Sequence, residues 1–144
     1  MKTPQRFYVS LKAVIVHEGK ILLLQTHNGL WEFPGGRMDE GEEGVPLETV
    51  LRRELAEELG SSVAVRLGPI IRTFIAKYTD GVHGLITEYL CWFEGGAIVV
   101  SDEHKAYQWV DQESWKELPF AQWYGNGYQK TLETIWDNPH LTRP

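Results

Sequence analysis

The sequence predicts a mixed α/β (α+β) protein in which helices pack on a central sheet. Strand-like segments lie on both sides of a helical segment in the middle of the chain, and a second helical pattern lies close to its end. Strands and helices do not alternate one by one, so the order is not that of a Rossmann fold. The order of the strands within the sheet does not follow from this pattern.

A β-hairpin is predicted near the start of the chain. The segments Phe7–His17 and Lys20–His27 are rich in β-branched and aliphatic residues, and Glu18-Gly19 separates them. Trp31–Arg37 follows, and its proline and paired glycines predict a sharply bent loop without regular structure.

A helix is predicted between Pro46 and Gly60. Proline has a fixed φ that suits the first helical turn, and glycine suits the left-handed cap at the end. Between them, apolar residues recur at helical spacing: Leu47, Val50, Leu51, Leu55 and Leu59. One face of this helix is therefore expected to pack on the core.

The second half of the chain predicts further strands and a final helix. The strands are Val63–Lys77, Leu85–Phe93 and the short Ala106–Val110, and the helix is Tyr128–Trp136. No segment resembles a linker or an internal repeat, so residues 1–144 are predicted to form one domain.

Composition excludes several classes of protein. The 144 residues carry 14 Lys and Arg against 20 Asp and Glu, a net charge of −6, which disfavours nucleic acid as a partner. The apolar runs are too short to span a membrane, and the N-terminus does not resemble a secretory signal, so a cytoplasmic protein is expected. Cys91 is the only cysteine, which excludes an intrachain disulfide and a cysteine-based zinc site.

Three carboxylates share one face of the predicted central helix. Glu54, Glu57 and Glu58 have the spacing i, i+3 and i+4, and Arg53 can reach Glu57 one turn away. One cation does not neutralise three anions, whereas a divalent ion such as Mg²⁺ takes oxygen ligands. This face is a candidate metal site, although an acidic helix face is often only solvated.

The motif around this helix resembles the Nudix box, G-x5-E-x7-R-E-U-x-E-E-x-G-U, where U is aliphatic. The matching residues are Gly36, Glu42, Arg53, Glu54, Leu55, Glu57, Glu58 and Gly60, preceded by the similar lead-in Trp31-Glu32-Phe33-Pro34-Gly35-Gly36. Two features depart from the pattern. Ten residues instead of seven separate Glu42 from Arg53, and Ser61 occupies the last aliphatic position.

The resemblance implies a Nudix-like α/β/α sandwich with a central mixed β-sheet. It also implies hydrolysis of a nucleoside diphosphate linked to another moiety X, with Mg²⁺ or Mn²⁺ as cofactor. Glu54, Glu57 and Glu58 would hold the metal, Arg53 would orient them, and Gly35 would contribute its carbonyl oxygen. Glu42 would support the helix, a second metal or the substrate.

The resemblance also indicates residues outside the box. Glu103 is a candidate metal ligand and catalytic residue, because Glu103-His104 resembles the lead-in to a tryptophan-containing strand in some members. Either Glu54 or Glu103 would be the general base, whereas His104 is expected to be structural. The candidate aromatic side chains for stacking on a base are Trp31, Tyr78, Trp123 and Tyr124.

Several functions remain open at this stage. A small nucleotide is the expected substrate, first a (d)NTP or a dinucleoside polyphosphate, with oxidised (d)NTPs and nucleotide sugars also open. An RNA 5′-end pyrophosphohydrolase is the alternative, but the chain lacks a cluster of Lys and Arg. A non-catalytic nucleotide-sensing module is a third option, and such a module would be expected to lose carboxylates that this chain keeps. The sequence does not decide between a monomer and a homodimer.

Overall fold

The computed structural model describes residues 1–78 and 80–142, except for the side chain of Trp123. The strands are β1 (Tyr8–His17), β2 (Lys20–Thr26), β3 (Trp31–Glu32), β4 (Gly35–Arg37), β5 (Ala64–Lys77), β6 (His83–Gly95) and β7 (His104–Val110), and the helices are α1 (Leu47–Leu59) and α2 (Gly127–Asp137). Short 3₁₀ turns lie at Ser114–Glu117, Gln122–Tyr124 and Pro139–Thr142. No helix in these described ranges is long and apolar enough to cross a membrane.

Strand β1 organises the sheet because three strands share its two edges. Along one edge it runs parallel to β6, which in turn pairs antiparallel with β5. The other edge is divided, since β2 pairs with Val16 and His17 while β4 pairs with Ser10, Leu11 and Lys12. Strand β2 also pairs antiparallel with β3 and with β7. The sheet is therefore mixed, as the resemblance implies.

The two faces of β1 pack against different helices. Alternate side chains point to opposite faces of a strand. Leu11, Ala13 and Ile15 belong to the cluster that includes Leu51 and Leu55 of α1. Val14 and Val16 belong to the cluster that contains the apolar face of α2, with Tyr128, Leu132 and Ile135. Each fully buried aliphatic side chain contributes roughly 1.5–3 kcal/mol. The predicted α/β/α sandwich is confirmed.

The prediction of a loop without regular structure at Trp31–Arg37 was wrong, because β3 and β4 occupy most of it. Gly35 has a φ of 130°, and a Cβ there would lie 2.1 Å from the carbonyl oxygen of Leu11. Glycine therefore permits β4 to pair closely with β1. Pro34 forms the bend between the two strands, and its carbonyl oxygen accepts a hydrogen bond from the Ala13 amide at 2.9 Å.

Strand β5 is irregular, and among the described strands it pairs with β6 alone. The register shifts between Leu67 and Ile70 and again between Ile70 and Arg72. Pro69 lies in the first of these shifts, where a residue without an amide hydrogen is tolerated. These irregularities follow from the Gly68-Pro69 pair, which disrupts a continuous ladder.

A buried polar cluster joins the sheet to α2. Glu88 of β6 has no exposed surface. Its carboxylate accepts hydrogen bonds from the hydroxyls of Thr131 at 2.6 Å and Tyr124 at 2.5 Å. Arg72 of β5 lies 3.9 Å from the same carboxylate and donates to the carbonyl oxygen of Gly127 at 2.7 Å. The start of α2 is thus held to two strands by charged groups.

Candidate active site and metal centre

One arginine gathers the carboxylates of the central helix and the loop before it. The Arg53 guanidinium forms two hydrogen bonds with Glu42, at 2.7 and 2.8 Å. It also lies 3.1 Å from Glu54 and from Glu57, and 3.4 Å from Asp39. The hydrogen bonds that Arg53 donates to Glu42 contribute most to raising the pKa of Arg53, which therefore stays charged. The predicted contact between Arg53 and Glu57 is confirmed.

With three extra residues before the helix, Glu42 still contacts Arg53. The extra residues are accommodated in turns that end before Leu47, where the Val45 amide donates to the carbonyl oxygen of Glu42 at 2.9 Å. The Asp39 amide donates to the Glu42 carboxylate at 2.7 Å. The hydrogen bonds from Arg53, and next that from Asp39, hold the pKa of Glu42 below its usual value. This geometry favours a positioning role for Glu42.

The two glycines of the lead-in bring the backbone against the acidic helix. The Gly35 amide donates to the carboxylate of Glu58 at 3.1 Å. At Gly36, a Cβ would lie 2.6 Å from a carboxylate oxygen of Glu54. The Gly35 carbonyl oxygen accepts from the Lys12 ammonium at 3.4 Å, and a carbonyl oxygen has a second lone pair for another partner.

Burial disfavours the ionised form of two carboxylates on this acidic face. Glu58 is 2% exposed and Glu54 is 8% exposed, whereas the side chain of Glu57 is 56% exposed. Burial raises the pKa of Glu58 to about 7, although Lys12 and the Gly35 amide oppose this shift. Burial also raises the pKa of Glu54, against the attraction of Arg53. Closely spaced, partly desolvated carboxylates fit a hard divalent cation.

Glu58 also belongs to a second group of candidate metal ligands. One ligand atom from each of Glu58, Glu103 and His104 lies within 4.8 Å of the other two. Glu103 is exposed, and it immediately precedes β7. The structure therefore brings Glu103 to Glu58, while Glu54 and Glu57 lie on the side of Arg53.

The sequence did not single out Lys12 or Glu32 as site residues. Lys12 is only 4% exposed, and its ammonium donates to the carbonyl oxygens of Phe33 at 3.2 Å and Gly35 at 3.4 Å. Glu32 lies 2.7 Å from the Nε2 atom of His104. A lysine inside an otherwise apolar strand was the available signal for Lys12, because charged residues are seldom buried without a partner.

The aromatic residues proposed to stack on a base are mostly buried in this structure. Trp31 is 7% exposed, Tyr78 is 9% exposed and Tyr124 is 4% exposed, and all three belong to the core beside α2. The side chain of Trp123 lies outside the described part of the chain. Trp31 therefore packs as a core residue, and its predicted contact with substrate has no support from this arrangement.

The chain is similar to known proteins over most of its length. A family model for the NUDIX domain matches residues 8–131. The CTP pyrophosphohydrolase of Escherichia coli (strain K12) is 33% identical over 118 residues, which cover 76% of this chain and 79% of that protein. An uncharacterized Nudix hydrolase of Bacillus subtilis (strain 168) is 32% identical over 122 residues, with 80% and 72% covered.

The fold has solved counterparts as well. The crystal structure of a MutT protein from Methanosarcina mazei Go1 aligns with a TM-score of 0.75 at 20% identity, covering 96% of this chain and 99% of that one. At this identity the likeness concerns the fold.

Proposed function

The chain belongs to the Nudix hydrolase family, and from this premise we propose that it is a metal-dependent pyrophosphohydrolase of nucleoside triphosphates. As a Nudix hydrolase it acts on nucleoside diphosphate derivatives through their phosphoanhydride bonds. The observation that carries the proposal is the set of carboxylates held by Arg53, next to the buried Glu58 and the backbone of Gly35.

Hydrolysis needs an attacking water and a stabilised leaving group. The water oxygen forms a bond to phosphorus, the anhydride P–O bond breaks, and the leaving phosphate takes the electron pair. When bound, Mg²⁺ or Mn²⁺ supplies positive charge for the phosphates and lowers the pKa of water. Glu54, Glu57, Glu58, Glu103 and the Gly35 carbonyl oxygen are the proposed ligands.

Other groups of the chain prepare these ligands for the reaction. Arg53 fixes Glu54 and Glu57 through contacts of 3.1 Å, and Glu42 fixes Arg53 in turn. Preorganised groups need no rearrangement as charge develops in the transition state. The water proton is accepted by Glu54 or Glu103, the two candidates for the general base.

Cytidine triphosphates are the first substrates to test, since the relative from Escherichia coli is a CTP pyrophosphohydrolase. Dinucleoside polyphosphates are the second class to test. Apart from the carboxylates, the structure has a cavity of about 440 Å³ at the start of β1. Phe7, Tyr8 and His83 are among its lining residues. Arg37 of β4 lies over the rings of Tyr8 and Tyr78, at 4.7 and 4.2 Å from their centroids, so a cation lies beside this cavity.

The test is hydrolysis of a substrate panel with Mg²⁺ or Mn²⁺ and separation of the products. The panel contains CTP, dCTP, the other (d)NTPs, dinucleoside polyphosphates and a 5′-triphosphate RNA. We expect cleavage of CTP to CMP and pyrophosphate, and a loss of about 10²–10³-fold or more in kcat for Glu57→Gln. Unchanged turnover in Glu57→Gln would exclude the proposed metal face. Nucleotide binding without any cleavage would instead indicate a sensing module.

A further inference from the structure

We propose that His104 is a metal ligand through its Nδ1 atom, so that Glu58, Glu103 and His104 form a mixed oxygen and nitrogen site that prefers Mn²⁺ to Mg²⁺. This inference rests on the metal-dependent function proposed above. It adds an imidazole to a set of ligands that the sequence analysis restricted to carboxylates and a carbonyl oxygen.

The first step of the argument is the fixed position of the His104 ring. His104 is 5% exposed, and its Nε2 atom lies 2.7 Å from a carboxylate oxygen of Glu32. The Glu32 carboxylate accepts hydrogen bonds and does not donate them. Nε2 must carry the hydrogen, which leaves Nδ1 as the nitrogen able to offer a lone pair.

The second step is the environment of that nitrogen. Nδ1 of His104 is buried and has no hydrogen-bond partner among the described residues. Three other buried atoms share this property, namely Trp92 Nε1, Trp115 Nε1 and the Tyr128 hydroxyl, but none of them belongs to a residue in the acidic cluster. A buried polar atom without a partner is destabilising. A cation bound between His104 and the two glutamates would provide the missing partner.

The third step is the spacing of the ligand atoms. A ring nitrogen of His104 and carboxylate oxygens of Glu58 and Glu103 lie within 4.8 Å of one another, close enough to meet at one ion after small side-chain movements. The Glu32 carboxylate contacts Nε2, the ring nitrogen that is not the proposed ligand atom. In carboxylate–histidine–metal arrangements, a carboxylate in this position fixes the tautomer and raises the basicity of the ligand. Glu32 is therefore a positioning residue for His104.

An imidazole ligand changes which ion is bound best. Mg²⁺ favours oxygen ligands and retains its waters, whereas imidazole suits transition metals, and affinity at such sites rises above that of Mg²⁺. The preference for Mn²⁺ should therefore depend on His104, while binding of Mg²⁺ should depend mainly on the glutamates.

Pulsed EPR of the full chain loaded with Mn²⁺ tests the assignment directly. Protein labelled with ¹⁵N only at histidine should show nitrogen hyperfine coupling to the bound ion, and His104→Gln should lose it. His140→Gln is the matched control, since His140 is exposed and lies at the far end of α2. The wild-type spectrum stands independently of whether His104→Gln folds. Bound Mn²⁺ without nitrogen coupling would overturn the proposal.

Calorimetric titration provides the second readout. We expect the Kd for Mn²⁺ to rise about tenfold or more in His104→Gln, with a change of less than about threefold for Mg²⁺. Equal losses for both ions would contradict a specific nitrogen ligand. The two proposals can be contradicted separately. Metal-dependent hydrolysis without nitrogen coupling would contradict only the role of His104. Wild-type protein that binds neither ion would contradict the metal face itself.

Discussion

At the scale of single residues, Arg53 contributes more to the site through its contacts than through its charge alone. Its planar guanidinium bonds both oxygens of Glu42 and also reaches Glu54 and Glu57. A lysine offers one compact ammonium group and has no comparable fork. The orientation of two proposed metal ligands therefore depends on one side chain that is not itself a ligand.

We expect Arg53→Ala to lower kcat by about 10²-fold, because displaced catalytic groups cost about this factor. Arg53→Lys should recover only a small part of the rate, since it restores the charge without the bidentate geometry. Steady-state kinetics on the best substrate of the panel would measure both changes.

Arg52→Ala is the control for this pair of variants. Arg52 is the preceding residue, is exposed, and donates to the carbonyl oxygen of Val65 at 3.2 Å instead of to a carboxylate. Its kcat should remain within about twofold of wild type. Full activity in Arg53→Lys would show that charge alone is sufficient and would contradict the geometric argument.

At the scale of elements, the sequence predicted the features that depend on the spacing of nearby residues. The helix from Leu47 to Leu59 and the relative positions of Glu54, Glu57 and Glu58 follow from its periodicity. Strand β4 did not follow from local pattern, because it exists only through pairing with β1, which lies about 25 residues earlier in the chain.

The same limit explains the site residues that sequence reasoning missed. Lys12 and Glu32 acquire their roles from partners in other strands and loops, Gly35 and His104 respectively. Trp31 was proposed to stack on a base because it is aromatic and its position was predicted to be a loop. Its burial depends on the segment between two 3₁₀ turns late in the chain, where Trp31 forms a bridge to Phe120 that the sequence pattern does not reveal.

We expect Gly35→Ala to destabilise the fold by about 2–4 kcal/mol, because its φ of 130° and the approach to Leu11 both exclude a side chain. Gly44→Ala is the matched control in the loop before α1. No atom lies within 4 Å of a Cβ built at Gly44, so its effect should be within about 0.5 kcal/mol. Urea denaturation would measure both, and equal stability of the two variants would show that β4 is not tightly held.

At the scale of the whole molecule, the two helices lie on opposite faces of one sheet and have different tasks. Helix α1 presents the proposed metal ligands, whereas α2 is held to the sheet through the buried Glu88. Burial raises the pKa of Glu88, although Thr131, Tyr124 and Arg72 oppose this shift. The stability of the entire fold should therefore respond to the ionisation of Glu88.

The sign of that response follows from linkage. Glu88 binds its proton more tightly in the folded than in the unfolded state, so its contribution to stability is greatest below the unfolded pKa, about 4.5. That contribution is lost as the pH rises from there through the folded pKa. We expect wild-type protein to lose more unfolding free energy between pH 5 and pH 8 than Glu88→Gln does, measured by urea denaturation in EDTA.

Glu94→Gln serves as the control for the pH experiment, because Glu94 lies on the same strand with an exposed side chain. Its pH dependence should match that of the wild type. If Glu88→Gln also matched the wild type, the buried carboxylate would not be coupled to unfolding.

The irregular outer strand bears on how the molecule behaves in a crowded solution. Strand β5 lies at the edge of the sheet, and its Ile70 and Ile75 are 51% and 52% exposed. If such an edge were long and regular, a second copy could pair with it and extend the sheet, which leads to aggregation. Pro69 offers no amide hydrogen to an incoming chain, and the shifts of register around it prevent a continuous row of bonds. The features that interrupt β5 should therefore disfavour edge-to-edge pairing between copies, although this edge exposes apolar side chains.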